Sequence, residues 1–209
     1  GYKSSTGEAQ KSAFEGLCAL NDASVLPTLL EATANAELKD KAIARYIELT
    51  GASTLNNDQK YMNYRKALET NPALKYKNQA LKALSATQNY QAMMLAAEYM
   101  DNAETAQAAA NTVLEIATKH PEFYSAEVKA LLEKVAATVN DGDAVYKRKD
   151  IEKFISENTA RESHSIITEL SAEEKAEGFE LLFDGQNMDA WTGNLEAYQP
   201  VDGYMYVTA

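Results

Sequence analysis

The chain has 209 residues, an apolar share of 45% and a net charge of −11, room for one ordinary domain with its own core plus a small second piece. The negative charge disfavours nucleic acid, whose binders neutralise phosphates with Lys and Arg, and also anionic membrane surfaces. Charge interrupts every apolar stretch before the roughly 18 residues of a membrane span, and the start, Gly1-Tyr2-Lys3, reads as a processed or engineered terminus without an apolar leader.

From residue 7 the apolar residues follow a helical period. The segment from Gly7 to Leu20 carries Phe14, Leu17 and Cys18 at i, i+3 and i+4. Asp22 or Ser24 supplies a cap for the next helix, with Pro27 in its first turn and Val25, Leu26, Leu29 and Leu30 on its apolar face. A third helix from Glu37 to Thr50 presents Ala42, Ile43, Tyr46 and Ile47, and Gly51 is placed to end it in a left-handed conformation. A fourth opens at Asn56-Asn57-Asp58, carries Tyr61, Tyr64 and Leu68, and closes at Asn71-Pro72. Further helices are expected from Leu74 to Ala86, Tyr90 to Met100, Ala103 to Lys119, Phe123 to Val139 and Ala144 to Asn158. The last of these has Val145, Ile151, Phe154 and Ile155 on its apolar side.

About nine helices of roughly 11 to 17 residues with short connections predict antiparallel neighbours. Ala13 to Asp22 resembles Ala80 to Asn89 in its placement of apolar and turn residues, and Ala109 to Ala117 looks like the start of a further unit. The apparent period of roughly 30 to 40 residues favours an all-α array of antiparallel helix pairs, a HEAT-like right-handed superhelix, over an irregular bundle. Such an array spans residues 1–158, and a polar linker follows over residues 159–177.

From Phe179 the helical period is gone. Phe179-Glu180-Leu181-Leu182-Phe183 is a short apolar run before Asp184-Gly185, and Tyr204-Met205-Tyr206-Val207 follows Asp202-Gly203. Both read as strands beside turns. Residues 178–209 therefore read as a truncated β segment, the start of a β domain in a longer protein, because two or three strands cannot cover both faces by themselves.

Gly178 to Trp191, with Val201-Asp202-Gly203-Tyr204-Met205-Tyr206-Val207 behind it, resembles the opening of the DUF1080 family, also called 3-keto-disaccharide hydrolase. The helical part, through Ala42 to Leu49 and Tyr61 to Leu68, resembles the HEAT-like region that precedes DUF1080 in some Bacteroidetes-type proteins. The resemblance implies a concanavalin-like β-sandwich and a secreted carbohydrate-processing hydrolase, periplasmic or extracellular after removal of a signal peptide. The helical array would then be its scaffold for a protein partner, carbohydrate the ligand of the full-length parent, and this chain alone inactive. Glycan binding without cleavage, or a purely protein–protein interaction module, are the alternatives.

No residue earns a catalytic or metal-binding role, and no cofactor is implied. Trp191 is the candidate for stacking on a sugar, although its size favours packing inside a sandwich. Asp184 and Asp202 precede Gly and are explained as turn residues, and Glu196 and Asp189 lack the established separation of a glycosidase pair. His120 ends a helix before Pro121, and His164 has no ligand at metal spacing. Asp141-Gly142-Asp143 lacks the calcium-loop pattern and reads as a helix-to-helix turn. Cys18, the single cysteine, reads as a buried inert thiol. Tyr61, Tyr64, Tyr76, Tyr90 and Tyr99 cluster in mid-array, where they either pack in the core or line a partner groove.

Overall fold

The computed structural model describes residues 2–162, 169–189, 191–193, 195–201 and 204–207. They form two compact units, residues 1–152 and 153–209. The chain is all-α with a short β segment at the C-terminal side. Ten α-helices occur among the described residues: α1 (Gly7–Ala19), α2 (Leu26–Ala32), α3 (Lys39–Ala52), α4 (Asn57–Glu69), α5 (Leu74–Leu84), α6 (Tyr90–Ala97), α7 (Ala106–Lys119), α8 (Ala126–Thr138), α9 (Ala144–Glu162) and α10 (Ala172–Ala176).

The helix starts follow from side-chain caps. Asn56 and Gln59 form a reciprocal capping box at α4 (2.9 and 3.1 Å), Asn89 caps α6 and Ser125 caps α8. Asp22 caps a 3₁₀ turn, Ala23–Val25, that leads into α2. α3 does not stop at Gly51: it runs to Ala52 and ends with Ser53 extended. Gly51 instead leaves room for α4: a Cβ there would lie 3.1 Å from the Tyr64 hydroxyl, which would have to shift by a few tenths of an ångström. Among the described non-glycine residues, left-handed conformations fall on Asn71 (φ 47°) and Gln88 (φ 52°). Helices α2 and α6 have only seven and eight residues, because Asn35 and Asn102 turn the chain early. Val145 is also displaced from its expected role, being 59% exposed while Ile151 on the same helix is buried.

Consecutive helices pack in pairs, α2 on α3, α4 on α5 and α6 on α7, with α3 also on α4 and α7 on α8. The array has two unlike layers. On one side α5 lies against both α3 and α7; on the other, α4 and α6 meet at few points. The core between them is built of large aliphatic side chains and small ones: Ile43, Leu49, Leu81, Leu84 and Leu132 are fully buried beside Ala42, Ala80, Ala92, Ala109 and Ala110. The alanines permit close approach of helices, and the large side chains fill the space that remains.

This unit contains an internal duplication at an offset of 67 positions from Phe14 through Thr50. Asn35 and Asn102 each accept a hydrogen bond from the backbone two residues on, at 3.0 and 2.9 Å. Each is also followed by the same pair of backbone bonds, to Leu38 and Lys39 in one case and Thr105 and Ala106 in the other. The helices that follow, α3 and α7, both have 14 residues and nearly identical N-cap torsions, φ −103° and −107° with ψ −15°. Asp22 and Asn89 cap at the same offset, and Phe14 and Leu81 are matched, fully buried residues. Ala109 to Ala117 therefore does not open a further unit; it matches Ala42 to Thr50 within the second copy.

In the second unit, a capping box between Ser171 and Glu174 starts α10. Two strands, β1 (Tyr198–Val201) and β2 (Tyr204–Val207), pair antiparallel with Tyr198 opposite Val207. The Phe179 to Phe183 run is not a strand. A strand exists only where its backbone groups find a ladder, and this run has no paired neighbour among the described residues. Phe179, Leu182 and Val207 are 59%, 66% and 61% exposed.

Candidate functional site

The open layer of the helical array carries two clefts, one on each side of α4. The first, of about 660 Å³, lies between α2 and α4. Leu26, Pro27, Leu30 and Glu31 form one wall, and Asp58, Gln59, Met62 and Lys66 the other, with Ala23 and Asn63 at its edges. Tyr46 reaches in from α3, and its hydroxyl donates to Asn63 Oδ1 at 2.9 Å. Burial pushes the Tyr46 phenol well above its ordinary pKa. Met62 is 45% exposed, an uncovered apolar side chain on the lip.

The second cleft, of about 360 Å³, lies between α4 and α6. Tyr61, Arg65 and Glu69 recur at i, i+4 and i+8 on α4, and Gln91, Leu95 and Glu98 face them with Tyr90 and Tyr99. Arg65 Nε donates to Glu69 Oε1 at 3.0 Å. Tyr90 is fixed on the far side: its hydroxyl donates to Glu127 Oε2 at 3.0 Å, and its ring meets the edge of Phe123 at 5.5 Å. Burial, then the charges of Glu98 and Glu69, raise the Tyr99 pKa. Of the five clustered tyrosines, Tyr61, Tyr90 and Tyr99 thus meet at one cleft. Tyr64 is buried at 2% exposure and Tyr76 lies elsewhere, beneath the Lys75 ammonium.

The other candidate residues fall into local structural roles. The His120 backbone N–H caps α7 through the Ile116 and Ala117 carbonyls, while its imidazole turns elsewhere: Nδ1 lies 2.7 Å from Glu122 Oε1, Nε2 3.2 Å from Gln88 Oε1, and the ring stacks on Phe123. Asp184 accepts from the Gln186 and Asn187 backbone at 2.8 and 3.0 Å, a turn arrangement that lowers its pKa through those bonds. Cys18 is half-buried, and burial raises its pKa. Trp191 is 39% exposed, and its indole N–H donates to the Leu182 carbonyl. It lines a cleft of about 270 Å³ with Met188, Leu195, Tyr198 and Met205. Asp189 is exposed. His164, Ile166, Ile167 and Asp202 lie outside the described residues, as does the Glu196 side chain.

Asp141 joins α7 to the start of α9. Its Oδ2 accepts from Gln107 Nε2 at 3.0 Å and from the Lys147 ammonium, which also donates to Asn111 Oδ1 at 2.8 Å. Lys147 is the main cause that holds the Asp141 carboxyl below its ordinary value. A depressed carboxylate contributes stability above its unfolded pKa of about 3.9 and loses it as pH falls through the folded value. The Tm difference between the wild type and Asp141→Asn should therefore be largest near neutrality and shrink below about pH 4; thermal melts across that range measure it.

Among the described residues no three His, Cys, Asp or Glu side chains group as metal ligands, and no helix is long and apolar enough to cross a membrane. The chain matches no family model, no curated protein and no solved structure.

Proposed function

We propose that the helical array is an interaction scaffold that holds a protein partner on its α2, α4 and α6 face, within a secreted carbohydrate-processing protein. The observation that carries the first half is the open layer: two clefts, rich in Tyr, Met and Leu, flank α4 on the side where neighbouring helices part. Tyr, Met and Arg are the side chains enriched at interfaces. The second half rests on the sequence resemblance of Gly178 to Val207 to the DUF1080 opening, and the uncovered Phe179, Leu182 and Val207 suit an incomplete sandwich. Glycan binding without cleavage is the second reading, favoured by the half-open Trp191 beside Tyr198.

A photo-cross-linking residue at Met62 or Leu95 should capture one partner from the native source, and the same residue at Tyr146, exposed on α9, should not. Equal capture from all three positions removes the scaffold reading. A chain continued through a whole β domain should release product from glycosides or their 3-keto forms. Glycan affinity without product leaves the binding reading in its place.

A further inference from the structure

The duplication supplies an internal comparison for the α2–α4 cleft. At the offset of 67, Ala23 matches Tyr90; α8 starts two positions later than that offset, and aligning the caps of α4 and α8, Asn56 and Ser125, brings Asp58 opposite Glu127. In the second copy the pair is complete: Tyr90 packs on Phe123 and donates its hydroxyl to Glu127. In the first copy the acceptor is present and the ring is missing. Asp58 and Ala23 both line the cleft, and the only hydrogen bond described for the Asp58 carboxylate is a long one from Asn89 at 3.3 Å. Tyr46 enters where the second copy has Val113, yet about 660 Å³ stays open with it in place, a volume within the range of ligand sites.

We propose that the α2–α4 cleft takes the phenol of a tyrosine presented by a partner protein, with its ring beside Ala23 and its hydroxyl donating to Asp58. This rests on the scaffold reading and names the group that the partner must present. Charge argues against an anionic guest, since Glu31 and Asp58 outnumber Lys66 on the lips; the preference for a phenol over a cation rests on the Tyr90–Glu127 pair of the second copy. The apolar walls at Leu26, Leu30 and Met62 suit a ring, and a charged acceptor at the mouth suits its hydroxyl.

The probe is a fluorescein-labelled Gly-Ser peptide with one central Tyr, compared with the same peptide carrying Phe or Arg. The Tyr peptide should bind about tenfold more tightly than the Phe peptide, the value of a hydrogen bond to a charged group. Asp58→Asn should bring the two within about twofold of each other. Ala23→Tyr should fill the cleft from within, raise Tm and abolish peptide binding. Equal binding of the Tyr and Phe peptides overturns the proposal, and so does a preference for Arg or unchanged affinity in a folded Ala23→Tyr variant. Cross-linking at Met62 without any Tyr preference refutes this guest and leaves the scaffold standing. Tyr preference without cross-linking refutes the scaffold and leaves the cleft as a phenol site.

Discussion

Leu81→Ala should lower the stability of the helical unit by about 3 kcal/mol and its Tm by about 10 °C. Leu81 has no exposed surface, and α5 lies between α3 and α7 with α4 across it. Removing its side chain costs the transfer energy of the lost methyl groups and leaves a cavity that stacked helices cannot close. The Leu81 carbonyl also accepts from the buried Thr112 hydroxyl at 2.8 Å, so relaxation of α5 would loosen its tie to α7. Leu20→Ala is the control: at 50% exposure, it should change stability by no more than about 0.5 kcal/mol. Chemical denaturation of both variants, with hydrogen exchange to follow α5 and α7, measures the difference. A Leu81→Ala protein as stable as the Leu20→Ala protein would mean that α5 is not packed as described.

Ala110→Leu should destabilise by about 2 kcal/mol, although the repeat alone makes it look harmless. Ala110 matches Ile43 at the offset of 67, and both are fully buried. In the first copy the core around α3, packed on α2, α4 and α5, is filled with Ile43 in place. In the second copy, α7 is in contact with α5, α6 and α8, and extra methylenes would force side chains off their rotamers. The reverse change, Ile43→Ala, should cost a similar amount by leaving a void. If Ala110→Leu were neutral or stabilising in a denaturant titration, the two copies would be interchangeable at this position.

The pair also explains why the duplication was only partly legible in the sequence. Ala13 to Asp22 and Ala80 to Asn89 stand out because the turn residues and the apolar period coincide. Farther along, Ile43 against Ala110 and Tyr46 against Val113 exchange large for small, and one-dimensional similarity fades. What persists is the Asn35 and Asn102 turn geometry, which sequence reading did not single out. Helix existence was readable throughout the array because the apolar period is strong and caps are explicit. Ends were less readable: Met100 stays buried after its helix has finished at Ala97, so the apolar pattern outruns the helix. Phe179 to Phe183 shows the converse limit, since a strand pattern specifies a strand only when a partner strand is supplied.

The clefts were harder still. Tyr61, Tyr90 and Tyr99 could be named as a cluster, but their meeting depends on how far α4 stands from α6, and no local signal encodes that spacing. Ala23 and Asp58 carry no mark of function by themselves. Their interest comes from comparison with Tyr90 and Glu127 in the other copy.

The unequal layers give the array a mechanical character. Along α3, α5 and α7 the helices are in continuous contact, so that side behaves as a spine of nearly fixed length. On the α2, α4 and α6 side there is free space to spread or narrow. Flexure should therefore take place about the spine, with the clefts changing width and little buried core exposed. A ring wedged beside Ala23 would act as a shim: by setting the gap at one pair of helices, it would alter the curvature offered to whatever binds along the rest of the face.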